Sequence, residues 1–399
     1  MLPFHQKMRE YTNLEGRNLW EYKLKLTSAE VELVIDHLLE LDGSVAPYYF
    51  LDDNCSRQIL ELVEVVKPDI DLTSRFVDST IPLDTVKALA SENLLEGEVL
   101  RLSLQAEWRD SYAHLNSQQK KILKDITKNK NLESLSALAP KQQAETLEAS
   151  MRYIAIQDYR NQKDSKDEKY NLSVARAKLG AQTEALKIEI PKSPLTSSNS
   201  SAAYLGYGKF DEQDFYRFKY RRAFHDLLSD DSGISIFSHL EVLSADFRYF
   251  PSDESFNLHQ FVLLKMLSTA PVNELDTPKS WKVDIGTEPK LAPYFHAGLG
   301  YSYDLEFLER TRVSGFVISE NYHLLETAQP YLGVEAVLMM KASLGRGLLN
   351  AKYLLETTSG EFIWDLGTGL SFDIGKSQEL RFEFRSRNEI PEALVSVIF

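Results

Sequence analysis

The chain has 399 residues, of which 26% are charged, 43% apolar and 11% aromatic, and its net charge is −14. This is the composition of a folded protein, and the length exceeds one typical domain, so two or three domains are expected. The acidic balance excludes a nucleic-acid binder, which needs a basic surface to displace counterions from phosphates, and the single cysteine excludes an intrachain disulfide or a cysteine-rich zinc site.

No cofactor or metal site is expected from the motifs present. No stretch approaches the ~18 uninterrupted apolar residues of a spanning helix. A mean hydropathy of −0.30 leaves a membrane barrel open, because barrel strands are apolar only on alternate residues. Met1 to Met8 has neither an apolar core nor a small-residue cleavage site, so it is not a signal peptide. A barrel must be exported. The expectation is therefore a chain that lacks its natural beginning.

Residues Thr27 to Leu41 read as a helix. Thr27 and Glu30 form a capping box, Val31, Val34, Ile35 and Leu38 share one face, and Gly43 follows as a C-cap. A second helix starts near Cys55, with Ile59, Leu62, Val63 and Val66 as its buried stripe, and Pro68 stops it. Pro82 and Asp84 announce a third, through Val86 and Leu89. From about Asn116 to Gln182 the chain is polar and reads as solvated helices. Pro191 to Ser201 has linker composition.

After the linker the period changes to two. In Glu361 to Asp373, Phe362, Trp364, Leu366, Thr368, Leu370 and Phe372 share a face opposite Glu361, Ile363, Asp365, Gly367, Gly369, Ser371 and Asp373. Pro293 to Leu305, Trp281 to Gly286 and Leu380 to Arg385 repeat the alternation. A soluble sandwich also alternates. Three features favour a membrane barrel: strands near the ~10 residues of a tilted spanning strand, about twelve strands (an even number), and Phe and Tyr recurring near strand ends. The last strand, Ala393 to Phe399, is apolar at every second position and ends in an aromatic, like the terminal signal of outer-membrane barrels. The charged inner-face residues Lys282, Asp284, Arg381 and Glu383 either pair across a narrow lumen or line water.

The segment Tyr48-Tyr49-Phe50-Leu51-Asp52-Asp53-Asn54-Cys55-Ser56-Arg57 carries the chemistry. Asp and Asn cap a helix whose first turn holds Cys55. A helix N-terminus stabilises a thiolate, and its free amides suit an oxyanion. Arg57 would assist ionisation; Asp52 and Asp53 would oppose it. A lone cysteine is also simply a small buried hydrophobe. The thiolate needs a base, usually His, and neither His5, His37 nor His114 has a context that singles it out. His225, His239, His259, His296 and His323 carry no motif.

Three segments together are informative: Arg17 to Tyr22, Tyr48 to Ser56, and Ile81 to Val86. They resemble the bacterial family carrying the Lnb N-terminal periplasmic domain. Arg221 to Leu228, with Ser280 to Lys282, resembles the β-barrel region that follows this domain in Gram-negative members. The resemblance implies a permuted papain-like (NlpC-type) fold. It also implies a relation to a lipoprotein N-acyltransferase, with Cys55 and Asn54 as the catalytic-site residues, Cys55 at the nucleophile position and Asn54 its motif neighbour, and the base histidine and signal peptide upstream of this chain.

The expected fold is α+β: a partial permuted papain-like cysteine domain (1–95), a helical segment (96–190), a linker (191–202) and an antiparallel transmembrane β-barrel of about twelve strands (203–399). The expected location is the outer membrane, with the N-terminal domain in the periplasm. The expected partners are outer-membrane lipid, a phospholipid acyl donor and a lipoprotein acceptor, with no nucleic acid. As given, the chain would be inactive or nearly so. Two alternatives stand beside this reading: a cysteine peptidase or amidase acting on cell-wall peptides, and a non-catalytic barrel serving as pore or scaffold.

Overall fold

The computed structural model describes residues 4–49, 51–77, 79–180, 190–230, 232–289, 292–305, 310–324, 328–375 and 378–399. Its helices are α1 (Phe4–Arg9), α2 (Ser28–Glu40), α3 (Cys55–Val66), α4 (Pro82–Ser91), α5 (Leu104–Ala113), α6 (Ser117–Asn129), α7 (Pro140–Asn161) and α8 (Lys166–Lys178). Strands β1 (Leu19–Leu24) and β2 (Leu95–Arg101) precede a second set of twelve. These are β3 (Ala202–Phe210), β4 (Gln213–His225), β5 (His239–Phe250), β6 (Ser255–Ser268), β7 (Ser280–Glu288), β8 (Ala292–Asp304), β9 (Thr311–Tyr322), β10 (Gln329–Ala342), β11 (Gly345–Glu356), β12 (Phe362–Asp373), β13 (Glu379–Arg387) and β14 (Ile390–Ile398). Two compact units form, one from Met1–Val31 with Ala90–Pro191, the other from Glu32–Leu89 with Lys192–Phe399.

In the first unit β1 and β2 pair antiparallel, Trp20 opposite Leu100. The polar helices hold together through a narrow apolar seam in which Ile122, Ile126, Leu135, Leu147, Ile154 and Leu172 are buried. Their ends are well specified. Asn116 and Gln119 make a capping box at α6, Ser103 caps α5, and Pro140 opens α7 where its missing N–H costs nothing. Asp158 ties α7 to the start of α8, accepting hydrogen bonds from the backbone and hydroxyl of Ser165 and pairing with Lys169 at 2.7 Å.

The second unit is dominated by a closed antiparallel barrel in which each strand pairs with the next and β14 returns to β3, Ser396 opposite Gly206. Closure gives every strand two neighbours, the condition for a sheet in hydrocarbon. The alternation read from sequence is the inside–outside alternation of this wall. Leu299, Val317, Leu332, Val334, Leu366 and Phe382 point outward and are about half exposed, forming a bilayer-facing belt. Aromatics mark both edges of it: Trp281, Tyr301, Tyr303 and Phe372 at the end that carries both barrel termini, and Tyr207, Tyr216, Phe256 and Phe362 at the other. The inner face is polar, as in Glu241, Asp246, Asp284, Glu320, Glu335 and Asp365, all buried.

The β4–β5 connection does not stay outside the wall. Leu228, Ser229, Ser232 and Phe237 are buried, and Phe237 packs into a cluster with the inward residues Tyr294, Phe316 and Met339. The connection plugs the termini end of the lumen. Gly369 on β12 makes room for it: a Cβ there would sit 2.7 Å from Leu228. Gly233 has φ +72°, and its Cβ would fall 2.4 Å from Pro194, so both conformation and space require glycine.

One sequence expectation needs correction. The buried stripe of α3 is Ser56, Leu60, Val63 and Val66, whereas Ile59 is 51% exposed. Val63 and Val66 are buried as expected, and the stripe departs only in the first two turns, where the cap turns Asn54 and Ser56 inward and Leu60 takes the buried place. The apolar face of α2 exists, but no residue of α2 is buried, and Val31, Ile35 and Leu38 are exposed; no element among the described residues covers it.

Candidate functional site

Cys55 is the first residue of α3 and its thiol is exposed. Asn54, extended at ψ 179°, is the N-cap: its Oδ1 accepts from the backbone N–H of Ser56 (2.9 Å) and Arg57 (3.4 Å). Its Nδ2 donates to the carbonyl of Thr80 at 2.7 Å, and Thr80 N–H donates to the carbonyl of Leu51 at 2.7 Å. Asn54 is thus a buried clamp that joins the cysteine loop to residues 79–80 and sets the direction of α3. The cap takes up the amides of Ser56 and Arg57, two of the donors that a helix N-terminus would otherwise offer an oxyanion.

The charges around the thiol are engaged with one another. Arg57 pairs with Asp52 at 3.7 Å and Glu61 at 3.5 Å and donates to the carbonyl of Phe76 at 3.2 Å. Among the described residues no histidine is hydrogen-bonded to Cys55. His37 lies 3.5 Å from Glu40, and His114 contacts the carbonyl of Asp110 at 2.8 Å. The side chain of His5 and the residue Phe50 of the aromatic segment lie outside the described residues.

The cysteine segment is fastened to the barrel at its termini end. Arg222 follows Tyr220 in the outward alternation of β4 and donates to the carbonyl of Ser79 at 3.3 Å. Lys87 of α4 donates to the carbonyls of Ser197 and Ser198 at 2.8 and 2.9 Å, and Ser200 donates to Asp84. Burial pushes Lys87 below the ordinary lysine range, with Asp84 and Asp230 opposing. Thus Arg222, Ser79, Thr80 and Asn54 form a continuous tie from the outer wall of the barrel to the cap of the cysteine helix.

A second candidate lies in the lumen, a cavity of about 390 Å³ bounded at one end by the plug residues Asp226, Leu227 and Leu228. Its charges are matched: Lys219 with Glu241 (2.7 Å), Lys265 with Asp284 (3.1 Å), Lys352 with Glu320 (2.6 Å), Arg217 with Asp246 (2.8 Å), and Lys282 in contact with Glu335. Of the inner-face residues named from sequence, Lys282 pairs with Glu335, Asp284 with Lys265, Glu383 with Arg217, and Arg381 with Asp226 and Glu379. Lys282 and Glu383 reach partners on non-adjacent strands, Asp284 pairs with its cross-strand neighbour, and Arg381 pairs with the plug and with its own strand; all four also line the cavity. No grouping of three or more His, Cys, Asp or Glu suited to a metal ion occurs among the described residues.

Sequence reasoning missed the plug. Its signal was present: the segment between β4 and β5 is long, apolar at Leu227, Leu228, Ile236 and Phe237, and begins with Asp226 shortly after the inward Arg221.

Residues 1–92 match the family model described as the Lnb N-terminal periplasmic domain, and residues 191–394 match the domain of unknown function DUF7840. The search of curated proteins gave no match. Among solved structures the chain is similar to the KdgM porin (10% identity, TM-score 0.31, 50% of this chain and 98% of that one). It is also similar to the outer membrane protein Omp33 of Acinetobacter baumannii (10%, 0.29, 51% and 98%) and the outer membrane phospholipase A of Escherichia coli (12%, 0.22, 51% and 97%). A periplasmic domain joined to a closed barrel with an apolar exterior belongs in the outer membrane, with the termini end of the barrel toward the periplasm. The match over 191–394 spans just over half of the 399 residues: the chain belongs to the DUF7840 family and carries an Lnb N-terminal periplasmic domain ahead of its outer-membrane barrel.

Proposed function

We propose that this protein handles acyl groups at the periplasmic face of the outer membrane, as a cysteine acyltransferase resembling the lipoprotein N-acyltransferases. The carrying observation is the exposed thiol of Cys55 at the N-terminus of α3, inside the Lnb segment and tied to the barrel wall through Asn54, Thr80, Ser79 and Arg222. The thiolate attacks the ester carbonyl of a phospholipid, forming a thioester and releasing a lysophospholipid. The amino terminus of a lipoprotein then attacks the thioester, forming an amide and returning the thiol. Cys55 is the nucleophile. Asn54 is a positioning residue, because its side chain is spent on the cap and on Thr80. The helix terminus supplies partial positive charge for the thiolate.

The test is covalent. The protein in phospholipid vesicles is incubated with a lipid bearing a labelled acyl chain, denatured, and digested for mass spectrometry. With an upstream segment added that supplies the base histidine the resemblance implies, the expected result is acyl thioester on the Cys55 peptide, absent in Cys55→Ser and discharged when a lipoprotein amino-terminal peptide is added, while the 399-residue chain alone labels weakly or not at all. No acyl group on Cys55 in the extended protein, under conditions where the barrel is folded, refutes the reading.

One observation favours a second reading, a non-catalytic outer-membrane scaffold. His37, the histidine nearest in sequence to Cys55, contacts Glu40, and no described histidine is bonded to the thiol. The scaffold reading predicts that Cys55→Ala preserves every phenotype of the wild-type locus, whereas acyl transfer predicts the phenotype of a deletion.

A further inference from the structure

We propose that Tyr48, Tyr49 and Val77 form a membrane-contact patch, seated in the periplasmic leaflet of the outer membrane beside β4. The argument starts at Arg222. It follows Tyr220 on the outward face of β4, at the termini edge of the apolar belt, and it holds Ser79. That edge is the interfacial zone of the bilayer, marked elsewhere on the barrel by Trp281, Tyr301 and Tyr303. Whatever is fastened to Arg222 therefore sits beside the wall at head-group height.

Two chain segments meet there. Ser79 and Thr80 are buried, and Thr80 bonds Leu51 at 2.7 Å and Asn54 at 2.7 Å. Two to three residues from this junction, the chain turns apolar groups outward: Val77 is 83% exposed, and Tyr48 and Tyr49 are each 62% exposed. Tyrosine suits this depth, since its ring enters the acyl boundary while its hydroxyl stays among head groups. The charged groups around the patch fit the same zone. Arg57 is paired with Asp52 and Glu61. The patch continues the belt of the barrel, so its occupant is the same lipid.

The proposal rests on the attachment of the cysteine segment to the barrel rim and not on whether Cys55 is catalytic. The consequence for the site is geometric: Cys55 follows this patch by a few residues, so a substrate reaches the thiol laterally from the leaflet.

The test uses the full chain in phospholipid nanodiscs. Cys55 is replaced by Ser, and a single new cysteine, Val77→Cys or Tyr49→Cys, is labelled with an environment-sensitive fluorophore. Leu299→Cys on the barrel belt serves as the lipid-exposed reference. The expected result is blue-shifted emission, with loss of fluorescence to lipids carrying a nitroxide near the head group and a weaker loss to lipids carrying it deep in the chain. Quenching by aqueous iodide alone overturns the proposal. So does a label shielded from both quenchers, which means that a protein segment or a second copy covers the patch. Neither outcome bears on the acyl-thioester test, so the two readings fail separately.

Discussion

Asp226 holds the plug, and replacing it with Asn tests whether the plug seals the lumen. Its carboxylate accepts two hydrogen bonds from Arg381 (2.8 and 3.2 Å), one from Arg221 (3.0 Å) and one from Tyr204 (3.1 Å). Both guanidiniums are nearly inaccessible, at 2% and 5% side-chain exposure. Asp226→Asn keeps the shape and removes the charge that both arginines face. Breaking a buried pair from one side costs about 3–5 kcal/mol, because the remaining charge is left uncompensated. Arg381 retains Glu379 at 3.1 Å, which argues for the lower end, about 3 kcal/mol. At ~1.4 kcal/mol per factor of ten, that is roughly 150-fold in the folding equilibrium. With a urea dependence of about 2 kcal/mol/M, the midpoint falls by about 1.5 M. The assay is reversible urea unfolding of the barrel in lipid vesicles, followed by tryptophan fluorescence. The double variant Asp226→Asn/Arg381→Gln removes one stranded charge and should lie closer to wild type than Asp226→Asn alone. A loss below about 1 kcal/mol in the single variant would mean that water solvates these groups, and the sealed-plug argument would be wrong.

Replacing residues 227–237 with a short Gly-Ser link should raise single-channel conductance in planar bilayers above that of wild type; unchanged conductance would show that the lumen is closed by its wall alone. Leu299→Arg, at the middle of β8 on the lipid face, should cost about 2–4 kcal/mol, against about 0–1 kcal/mol for Tyr303→Arg at the edge; equal costs in vesicle unfolding would contradict the placement of the belt. Asn54→Ala loses the cap and strands the Thr80 carbonyl, so hydrogen exchange at the Ser56 and Arg57 amides should rise about tenfold or more, while Asn54→Asp should recover the cap but not the Thr80 bond. In the helical unit, burial alone would raise the Asp158 carboxyl, but Lys169 and Ser165 outweigh it and hold the group below the ordinary range. Its contribution is therefore present above the unfolded carboxyl value and is lost as pH falls below about 4. Asp158→Asn should flatten the acid limb of the helical circular-dichroism signal, and an unchanged limb would remove Asp158 from the acid response.

What sequence revealed and what it hid follow from range. The barrel was legible because each strand repeats the same local rule: Phe362, Trp364 and Leu366 outward, Asp365 and Gly367 inward. Capping was legible for the same reason, since Thr27 bonds Glu30 and Asn54 bonds Ser56 within a few residues. The plug was not, because its anchors join Asp226 to Arg381 and Ser229 to Lys341, and no local period carries that information. The rim tie between Ser79 and Arg222 is equally remote. The shift of the buried stripe of α3 from Ile59 to Leu60 arose because the cap residues turn inward, a constraint that apolar spacing does not encode. The motif gives Asn54 only as the neighbour of the nucleophile, and its role as a clamp needs the remote carbonyl of Thr80.

The connections between strands say which side of the membrane this barrel serves. An even number of strands puts both barrel termini on one side, and the periplasmic domain that precedes β3 makes that side the periplasm. The turns on the opposite, cell-surface side are brief: residues 211–212 between β3 and β4, 251–254 between β5 and β6, and 388–389 between β13 and β14. The long connections, 226–238 and 269–279, lie on the periplasmic side. One of them plugs that end of the lumen, and the barrel end beside it carries the cysteine segment through Arg222, Lys87 and Asp84. A barrel built to capture ligands from outside would place its longer loops at the surface, where loops carry binding function. Here the elaboration faces the periplasm and the lumen charges neutralise one another. On the proposed function the wall serves as an anchor, and the acyl chemistry falls to the cysteine segment that it holds at the periplasmic edge of the membrane.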